Sequence, residues 1–343
     1  MDKAKKIELI KKSGLFGNNQ DKIQFFPLEG GVSSDVFLVT DGEKKLVLKE
    51  ALEKLRVQTE WFADVKRNRL EHEFLSYVAT FDAKSVPDVK FYDDSEGFFV
   101  MEYLDGFHTW KSDLLQGILS EEYAKLAGKI LGGIHRNSWN NISLLKKFDS
   151  TDQFVQLRID PYLYTAGKKN PDVKELFLKE GIRLMEHRNC LVHGDFSPKN
   201  LMVKGNKMVI IDSEVAWYGD PAFDVAFLLN HLFLKSIFNH KLVRGYLNLV
   251  HSFMGSYTET IGYSRFMDIL PRLGRLLLLL MIARIDGKSP VEYLSDEDKR
   301  IAVREFALKN LKEDFSVKPV QKITDMWLST IENREWDLKN ENQ

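Results

Sequence analysis

The 343-residue sequence has very little cysteine, almost no net charge and no long apolar run, and each absence excludes a class of protein. The single cysteine, Cys190, excludes an intramolecular disulfide and fits a reducing compartment such as the cytoplasm. A formal net charge of −1 gives no overall field that would attract nucleic acid or an anionic membrane. The longest apolar run, LLLLLMIA at 276–283, is too short to cross a bilayer and predicts a buried helix.

Signals for export and for zinc are also missing. The N-terminus, MDKAKKIELIKKSG, is charged and amphipathic and lacks the apolar core of a signal peptide. The histidines show no metal-ligand spacing, and the aromatic residues are not interleaved with a basic stripe of the kind that binds nucleic acid. We therefore expect a cytoplasmic protein with neither a membrane nor a nucleic acid as its partner, and the sequence leaves its oligomeric state open.

The order of predicted elements indicates two lobes. An apolar content of 44% and a charged content of 29% are ordinary for a globular protein, and the length suggests two domains or two lobes. After a short helix over 1–13, the runs IQFFPL, VFLVT, KLVLKEA, VKFYDD and GFFVMEYL predict strands, with one helix from about Arg67 to Thr80. Beyond Leu104 the pattern is helical, apart from short strands around LMVK and MVII. We predict an α+β protein with a β-rich lobe over 1–104, a helical lobe over 105–343 and a hinge near Tyr103 to Gly106.

The segment 191–226, LVHGDFSPKNLMVKGNKMVIIDSEVAWYGDPAFDVA, contains the strongest functional signal. Asp195 lies in a polar loop five residues before Asn200, and the apolar run MVII then leads to Asp212 at a strand end. Phosphoryl transfer needs a carboxylate to hold the attacking hydroxyl and hard oxygen ligands for Mg²⁺ on the triphosphate. The spacing of these residues therefore predicts a magnesium-dependent phosphoryl-transfer site. The alternative is that HGD and GDP are ordinary turns, with Asp220 before Pro221 capping a helix.

This series of motifs resembles the aminoglycoside phosphotransferase and choline kinase superfamily, whose members have a bilobal protein-kinase-like fold. The resemblance implies that Asp195 is the catalytic base and that Asn200 and Asp212 are the Mg²⁺ ligands. It further implies that His193 and Asp224 support the catalytic loop. ATP and Mg²⁺ are the implied cofactors.

The nucleotide-binding residues are expected before the hinge. In EGGVSSDVF, Gly30 and Gly31 let the backbone approach phosphates, and Ser33 and Ser34 add donors, although such residues also make an ordinary hairpin loop. The resemblance further implies that Glu102 and Tyr103, after the strand GFFV, belong to the linker that offers backbone groups to the adenine ring. The residue types alone do not distinguish ATP from GTP.

Lys49 lies amid apolar residues in the strand LVLKEA, where a buried ammonium needs an anionic partner. The superfamily resemblance implies that Lys49 binds the nucleotide α- and β-phosphates and is held by a helix glutamate. Glu71 is three and four residues before the apolar Phe74 and Leu75 and so shares their face, whereas Glu73 is rotated by roughly 200°. We therefore predict Glu71 as the partner, with a strand-edge lysine that reaches solvent as the alternative.

The acceptor side carries a partial resemblance to methylthioribose kinase. KEALEKLRVQTEWFADVKRNRLEHEFL, 49–75, is similar to its tryptophan-bearing insertion, and GDPAFDVAFLLNHL is also similar. Glu214 and Trp217 follow Asp212 and are predicted to form the floor of the acceptor pocket, although Trp217 could simply pack there. Arg158 and Arg284, in LRIDPYL and ARIDGKSPVEYL, are further candidates, with interhelical ion pairs or caps as the alternative.

We predict an ATP- and Mg²⁺-dependent kinase that phosphorylates a hydroxyl of a small metabolite, such as methylthioribose or a related sugar. An aminoglycoside kinase and a choline or amino-alcohol kinase are alternatives in the same class. A protein kinase is disfavoured because HGD replaces HRD, IDSE replaces DFG, and GDPAFD follows Asp212 too closely for an activation loop. An alternative of another class is a nucleotide-binding pseudokinase that acts as an interaction module.

Overall fold

The N-terminal part of the chain is built around an antiparallel sheet. The computed structural model describes residues 3–28, 34–52 and 67–336. The sheet has five strands in the order β1-β2-β3-β5-β4. The elements of this part are α1 (Lys3–Lys12), a 3₁₀ turn (Gly17–Lys22), β1 (Gln24–Pro27), β2 (Ser34–Thr40), β3 (Lys45–Ala51), α2 (Arg67–Asp82), β4 (Val89–Asp93) and β5 (Phe98–Glu102).

The turn between β2 and β3 fixes the register of the central strand. Asp41 accepts hydrogen bonds from the backbone N–H groups of Glu43 (3.0 Å) and Lys44 (2.8 Å), and Gly42 has a φ of +98°. This turn chemistry favours a hairpin. The register then places Lys49 opposite Val36 on one side and opposite Phe99 on the other.

Helix α2 packs on the sheet through the apolar face that its periodicity predicts. Phe74, Leu75 and Val78 are buried, and Leu70 packs against them. Asn68 in the first turn donates hydrogen bonds to the carbonyls of Lys49 (3.2 Å) and Gly97 (2.6 Å). These bonds tie the start of the helix to β3 and to the turn before β5.

The rest of the described chain is mainly helical, as predicted. Its elements are β6 (His108–Thr109), α3 (Trp110–Leu115), α4 (Glu121–Ser138), α5 (Ile142–Lys147), α6 (Thr151–Phe154), a π-helical segment (Val155–Tyr164), α7 (Thr165–Lys169), a 3₁₀ turn (Pro171–Val173), α8 (Lys174–Glu186), β7 (Cys190–Val192), a 3₁₀ turn (Pro198–Asn200), β8 (Leu201–Lys204), β9 (Lys207–Ile210), β10 (Trp217–Gly219), α9 (Ala222–Phe238), a 3₁₀ turn (His240–Leu242), α10 (Val243–Ile261), α11 (Tyr263–Asp286), α12 (Glu297–Asn310) and α13 (Pro319–Glu332).

Three short strands were not predicted from the sequence. The runs LMVK and MVII form β8 and β9 as expected, but β6, β7 and β10 have only two or three residues each. Strand β6 pairs with β8, and β7 pairs with β10 so that Val192 lies opposite Trp217. Such short strands carry no periodicity of their own and exist only through partners distant in sequence. They frame the loop that carries Asp195.

The core of the helical part contains α9 and the C-terminal half of α11. The run 276–283 is fully buried within α11, as its composition predicts. Helices α4 and α10 pack closely, because a Cβ atom at Gly128 would lie 2.5 Å from the carbonyl oxygen of Phe253. Over residues 3–28, 34–52 and 67–336, we find no helix with both the length and the apolar character that crossing a membrane requires.

Candidate active site

The loop after β7 is held in place by a buried carboxylate. Asp224, in the first turn of α9, accepts hydrogen bonds from the backbone N–H groups of His193 (2.6 Å) and Gly194 (2.9 Å). Its Oδ2 also lies 3.4 Å from Nε2 of His135, whose Nδ1 is 2.8 Å from the Tyr257 hydroxyl. Charge-assisted hydrogen bonds to backbone N–H groups are strong. Asp224 therefore fixes the path of the chain just before Asp195.

His193 is neutral and links two parts of the site. Burial lowers its pKa despite the nearby negative charges of Asp224 and Asp195. Its Nε2 donates to the carbonyl of Ile211 (3.1 Å), and its Nδ1 accepts from the N–H of Asp195 (3.2 Å). Only one tautomer of neutral histidine satisfies both contacts. His193 thus ties the Asp195 loop to the chain that leads into Asp212.

Gly194 is required where it stands. Its φ is +76°, and an added Cβ atom would lie 2.4 Å from the carbonyl oxygen of Val215. A side chain would therefore collide with the backbone after Asp212 and would also adopt a disfavoured conformation. This glycine allows the loop to pass close to that backbone.

The carboxylate of Asp195 is buried between two cations. Arg158 in the π-helical segment lies 3.2 Å from its Oδ2, and Lys199 lies 2.9 Å from the same atom. Burial opposes ionisation of this carboxyl, but the charges of Lys199 and Arg158 outweigh burial and lower its pKa. Asp195 is therefore an ionised hydrogen-bond acceptor at neutral pH.

Asn200 and Asp212 are brought next to each other by the backbone. The side-chain amide nitrogen of Asn200 donates to the backbone carbonyl of Asp195 (2.9 Å), and the backbone carbonyl of Asn200 accepts from the N–H of Ile211 (3.0 Å). Asp212 has a φ of +64°, which is rare for a residue with a side chain and costs on the order of 1 kcal/mol. Strain of this kind accumulates at functional sites, and here it orients a carboxylate beside the Asp195 loop.

Lys49 bridges the sheet, α2 and Asp212. Its Nζ is 2.6 Å from a carboxylate oxygen of Glu71 and 2.6 Å from one of Asp212. Burial disfavours the charged ammonium, but both carboxylates outweigh burial and raise the pKa of Lys49. The two carboxylates differ. Lys49 lowers the pKa of Asp212 despite burial, whereas burial raises that of the more enclosed Glu71 to about 7. One lysine cannot fully compensate two acids.

A second ion pair crosses the same region. Glu214, buried two residues after Asp212, accepts from Nε of Arg67 (3.1 Å) and from the hydroxyl of Ser34 (3.3 Å). Arg67 begins α2 and is fully buried, and Ser34 begins β2. Glu214 therefore joins the helical part of the protein to the sheet and to α2.

The predicted linker residues, Glu102 and Tyr103, have contacts outside this group of charges. Gly30, Gly31 and Ser33 fall outside the described residues. Glu102, at the end of β5, uses its backbone N–H in a 2.9 Å hydrogen bond to Asp88, and Tyr103 is half-buried beside Lys45.

The two remaining acceptor-pocket candidates differ in their surroundings. Trp217 is fully buried, its ring stacks on Phe154 at 4.4 Å between centroids, and its Nε1 donates to Thr151 (3.1 Å), so its position favours packing. Arg284 is buried, and its guanidinium donates to the Tyr162 hydroxyl (3.2 Å).

Lys199 and Arg67 are site residues that the sequence reasoning missed. Lys199 is half-exposed, and its Nζ lies 2.9 Å from Asp195 and 4.0 Å from Asp212, so it faces both carboxylates. Its place in SPKN, between Asp195 and Asn200, was an available signal. The sequence contained no such signal for Arg67, because VKRNR is typical of an exposed basic stretch.

Comparisons with known proteins show the family of the chain. Residues 25–257, well over half of the chain, match the model of the phosphotransferase enzyme family, APH. A methylthioribose kinase of Exiguobacterium sibiricum is 26% identical over 263 residues, which cover 67% of this chain and 65% of that protein. The chain thus spans just under two thirds of the length of this relative.

Two solved structures share the fold at 14% sequence identity. The amicoumacin kinase hAmiN, in complex with AMP-PNP, Ca²⁺ and Ami, has a TM-score of 0.57 over 94% of this chain and 97% of its own. The Plasmodium vivax ethanolamine kinase has a TM-score of 0.51 over 94% and 85%. These likenesses confirm the predicted α+β, bilobal protein-kinase-like fold. The family match, together with this fold and the Asp195 loop, shows that the chain belongs to the phosphotransferase enzyme family.

Proposed function

We propose that the protein is an ATP- and Mg²⁺-dependent kinase that transfers the γ-phosphoryl group to a hydroxyl of a small metabolite. One observation carries the proposal: a single lysine, Lys199, faces the carboxylates of both Asp195 and Asp212. A carboxylate for the acceptor hydroxyl and a carboxylate for the metal must lie side by side in phosphoryl transfer. The family match and the Lys49–Glu71 ion pair support the same kinase function.

Asp195 orients the acceptor hydroxyl and takes up its proton as the new bond forms. Its low pKa makes it a weak base, so its main contribution is to hold the hydroxyl in line with the phosphorus atom. Lys49 binds the α- and β-phosphates, and Glu71 holds its ammonium in position. Lys199 is placed to stabilise negative charge on the transferring group from the side of Asp195.

The residues present fit a bound Mg²⁺ ion. Asp212 offers carboxylate oxygens, and Asn200 keeps its amide oxygen available because its amide nitrogen donates to Asp195. Within the described parts of the chain, no group of three or more His, Cys, Asp or Glu side chains forms a complete metal cage. Mg²⁺ commonly binds through one or two protein oxygens together with substrate phosphates. When bound, Mg²⁺ neutralises charge on those phosphates.

The proposed acceptor belongs to the small hydroxylated metabolites. The 26% identity to a methylthioribose kinase supports a sugar such as methylthioribose. A polycationic aminoglycoside needs several carboxylates to pair its ammonium groups once they are desolvated. Asp195, Asp212 and Glu214 are already engaged with cations of the protein, which disfavours such a substrate.

The test is ADP release from ATP and Mg²⁺ in the presence of a panel of small alcohols, sugars and amino alcohols. We expect release that depends on one class of acceptor and disappears without Mg²⁺. Nucleotide binding without transfer to any acceptor would favour a pseudokinase that acts as an interaction module. Efficient turnover of kanamycin would overturn the argument about the acceptor while leaving the kinase assignment intact.

A further inference from the structure

A second group of buried cations lies next to Arg158. The Tyr162 ring connects the two groups, because the guanidinium carbons of Arg158 and Arg284 lie 5.8 and 5.5 Å from its centroid. The Tyr162 hydroxyl accepts a 3.2 Å hydrogen bond from Arg284. Since Arg158 also contacts Asp195, Arg284 is one aromatic ring away from the residue expected to hold the acceptor hydroxyl.

One face of α9 extends this group. Phe227, His231 and Lys235 are spaced four residues apart and so lie along the same side of the helix. The Phe227 ring packs against Tyr162 (5.6 Å) and His231 (5.2 Å), and Arg158 lies 6.0 Å from its centroid. The face therefore runs from the Asp195 loop toward Lys235.

Among the residues that the structure describes, no carboxylate forms an ion pair with the buried Lys235 or Arg284. Lys235 is 1% exposed, and its ammonium lies 3.4 Å from the Tyr293 hydroxyl. Arg284 donates from Nη1 to Tyr162 and Ser289, while its Nε and the Nδ1 of buried His231 have no partner among the described residues. Glu292, whose negative charge acts on both cations, is exposed and pairs with Lys111.

This arrangement is costly in the absence of an anion. Burial, together with the positive charges of Lys111 and Arg284, lowers the pKa of Lys235 to about 7 against the smaller opposing effect of Glu292. Burial likewise lowers the pKa of His231 well below its usual range, with Lys235, Arg284 and Lys199 adding to the effect. An apolar residue at 235 would avoid this cost, since the rest of α9 is almost entirely apolar and buried.

We propose that the acceptor carries an acidic group, a carboxylate or a phosphate, that binds to Lys235 and Arg284 while its hydroxyl lies at Asp195. The inference rests on the proposed kinase function and narrows its substrate class to sugar acids, hydroxy acids or phosphorylated polyols. A neutral acceptor such as methylthioribose leaves both cations uncompensated. An anion supplies the missing charge and restores the proton of Lys235.

Matched acidic and neutral compounds test the proposal. The full-length protein is loaded with AMP-PNP and Mg²⁺, and its thermal unfolding is followed with gluconate against glucose and with ribose 5-phosphate against ribose. Ligands that bind only the folded protein raise its Tm. We expect at least one acidic member to bind about 10-fold or more tightly than its neutral partner. The carboxylate and phosphate arms identify which group the cations prefer.

Two variants separate binding from folding. Lys235→Met keeps a similar side-chain length and removes only the buried charge, so it should fold and should lose the preference for the acidic compound. Lys129→Met, at an exposed lysine of α4, is the matched control and should keep that preference.

The outcomes distinguish the two proposals. An absence of stabilisation by AMP-PNP and Mg²⁺ would remove the kinase function and this inference with it. Nucleotide stabilisation combined with equal responses to acidic and neutral compounds in both arms would overturn the inference alone. So would an acid preference that Lys235→Met retains.

Discussion

The buried cations on the two sides of the Asp195 loop differ in what surrounds them. Lys49, Arg67 and Arg158 each lie within 3.2 Å of a carboxylate oxygen. Lys235 and Arg284 have hydroxyl and carbonyl neighbours instead. A buried cation that is paired with a carboxylate of the protein is neutralised before any ligand binds. A buried cation without such a carboxylate lowers the stability of the folded protein, and in our proposal an anionic group of the substrate neutralises it.

This difference separates residues that serve the nucleotide and the chemistry from residues that select the acceptor. The fold neutralises the cations of the first set, because it places Glu71, Glu214 and Asp195 beside them. The second set has no such partner in the described structure, so its counter-charge is expected on the substrate. The predictions below test this separation, beginning with the largest expected effect.

Asp195→Ala should remove transfer while leaving nucleotide binding within a few-fold. Loss of a positioned base costs about 10²–10⁴-fold in rate, and Asp195 does not contact Lys49 or Glu71. The measurements are ADP release and nucleotide affinity on the same variant, with Lys129→Met as control. Turnover above a few per cent of wild type would exclude Asp195 as the base.

Lys49→Met should lower the stability of the folded protein, whereas Lys235→Met should leave it unchanged or raise it. Removing Lys49 leaves Glu71 and Asp212 without their shared cation, which costs about 3 kcal/mol or more in the free energy of unfolding. Removing Lys235 deletes a buried charge that has no carboxylate partner, so the Tm should stay the same or rise. Thermal unfolding without ligands gives both values. A drop in Tm of equal size for the two variants would contradict the distinction between cations that are paired with a carboxylate and cations that are not.

Asp212→Asn should weaken the response to Mg²⁺. One full negative charge is lost at the proposed metal site, which should lower apparent Mg²⁺ affinity about 10-fold or more at fixed ATP. A titration of Mg²⁺ against ADP release measures the shift. An unchanged titration midpoint would show that Asp212 does not bind the metal.

The stability difference between wild type and Lys235→Met should shrink as the pH rises from 7 toward 9. The pKa of Lys235 is about 7 in the folded protein and near its ordinary 10.5 when unfolded. Between these values the unfolded chain binds the extra proton, so raising the pH stabilises wild type relative to the variant.

The other ionisable groups around Lys235, namely Lys111, His231, Arg284, Glu292 and Tyr293, are present in both proteins. Lys235 itself lowers the pKa of His231, but burial is the larger cause and holds that pKa below the range from pH 7 to 9 in both. The Tm of each protein is measured across the pH range. A difference that stays constant with pH would mean that Lys235 does not titrate near neutrality.

The smallest effect is expected at Glu73, the neighbour that shares the helix with Glu71. Glu73 pairs with Arg69 at 3.3 Å and with Lys147 at 3.7 Å, and both basic side chains are largely exposed. Glu73→Gln should change stability by less than about 1 kcal/mol and leave the KM for ATP unchanged. Glu71→Gln should raise that KM, because Lys49 then loses one of its two anchors. Similar kinetics for the two variants would contradict the assignment of Glu71.

Local patterns in the sequence predict the order of the helices and strands and the spacing of the candidate catalytic residues. Short apolar runs predict the five strands and helical periodicity predicts α2, and the spacing along the chain sets Asp195, Asn200 and Asp212 in order. The inward face of α2 likewise singled out Glu71, which contacts Lys49. These features depend on residues within a few positions of one another, so they can be read along the chain.

Which charges contact one another depends on the tertiary structure. Arg158 reaches Asp195 because the π-helical segment packs against the loop after β7, and Glu214 reaches Arg67 across the sheet and α2. Lys235 lies in a helix whose composition reads as core, and no local pattern shows that its neighbours include Arg284 and Lys111 rather than a carboxylate. Electrostatic balance is a property of distances in space, and residues more than 35 positions apart in the sequence set it here.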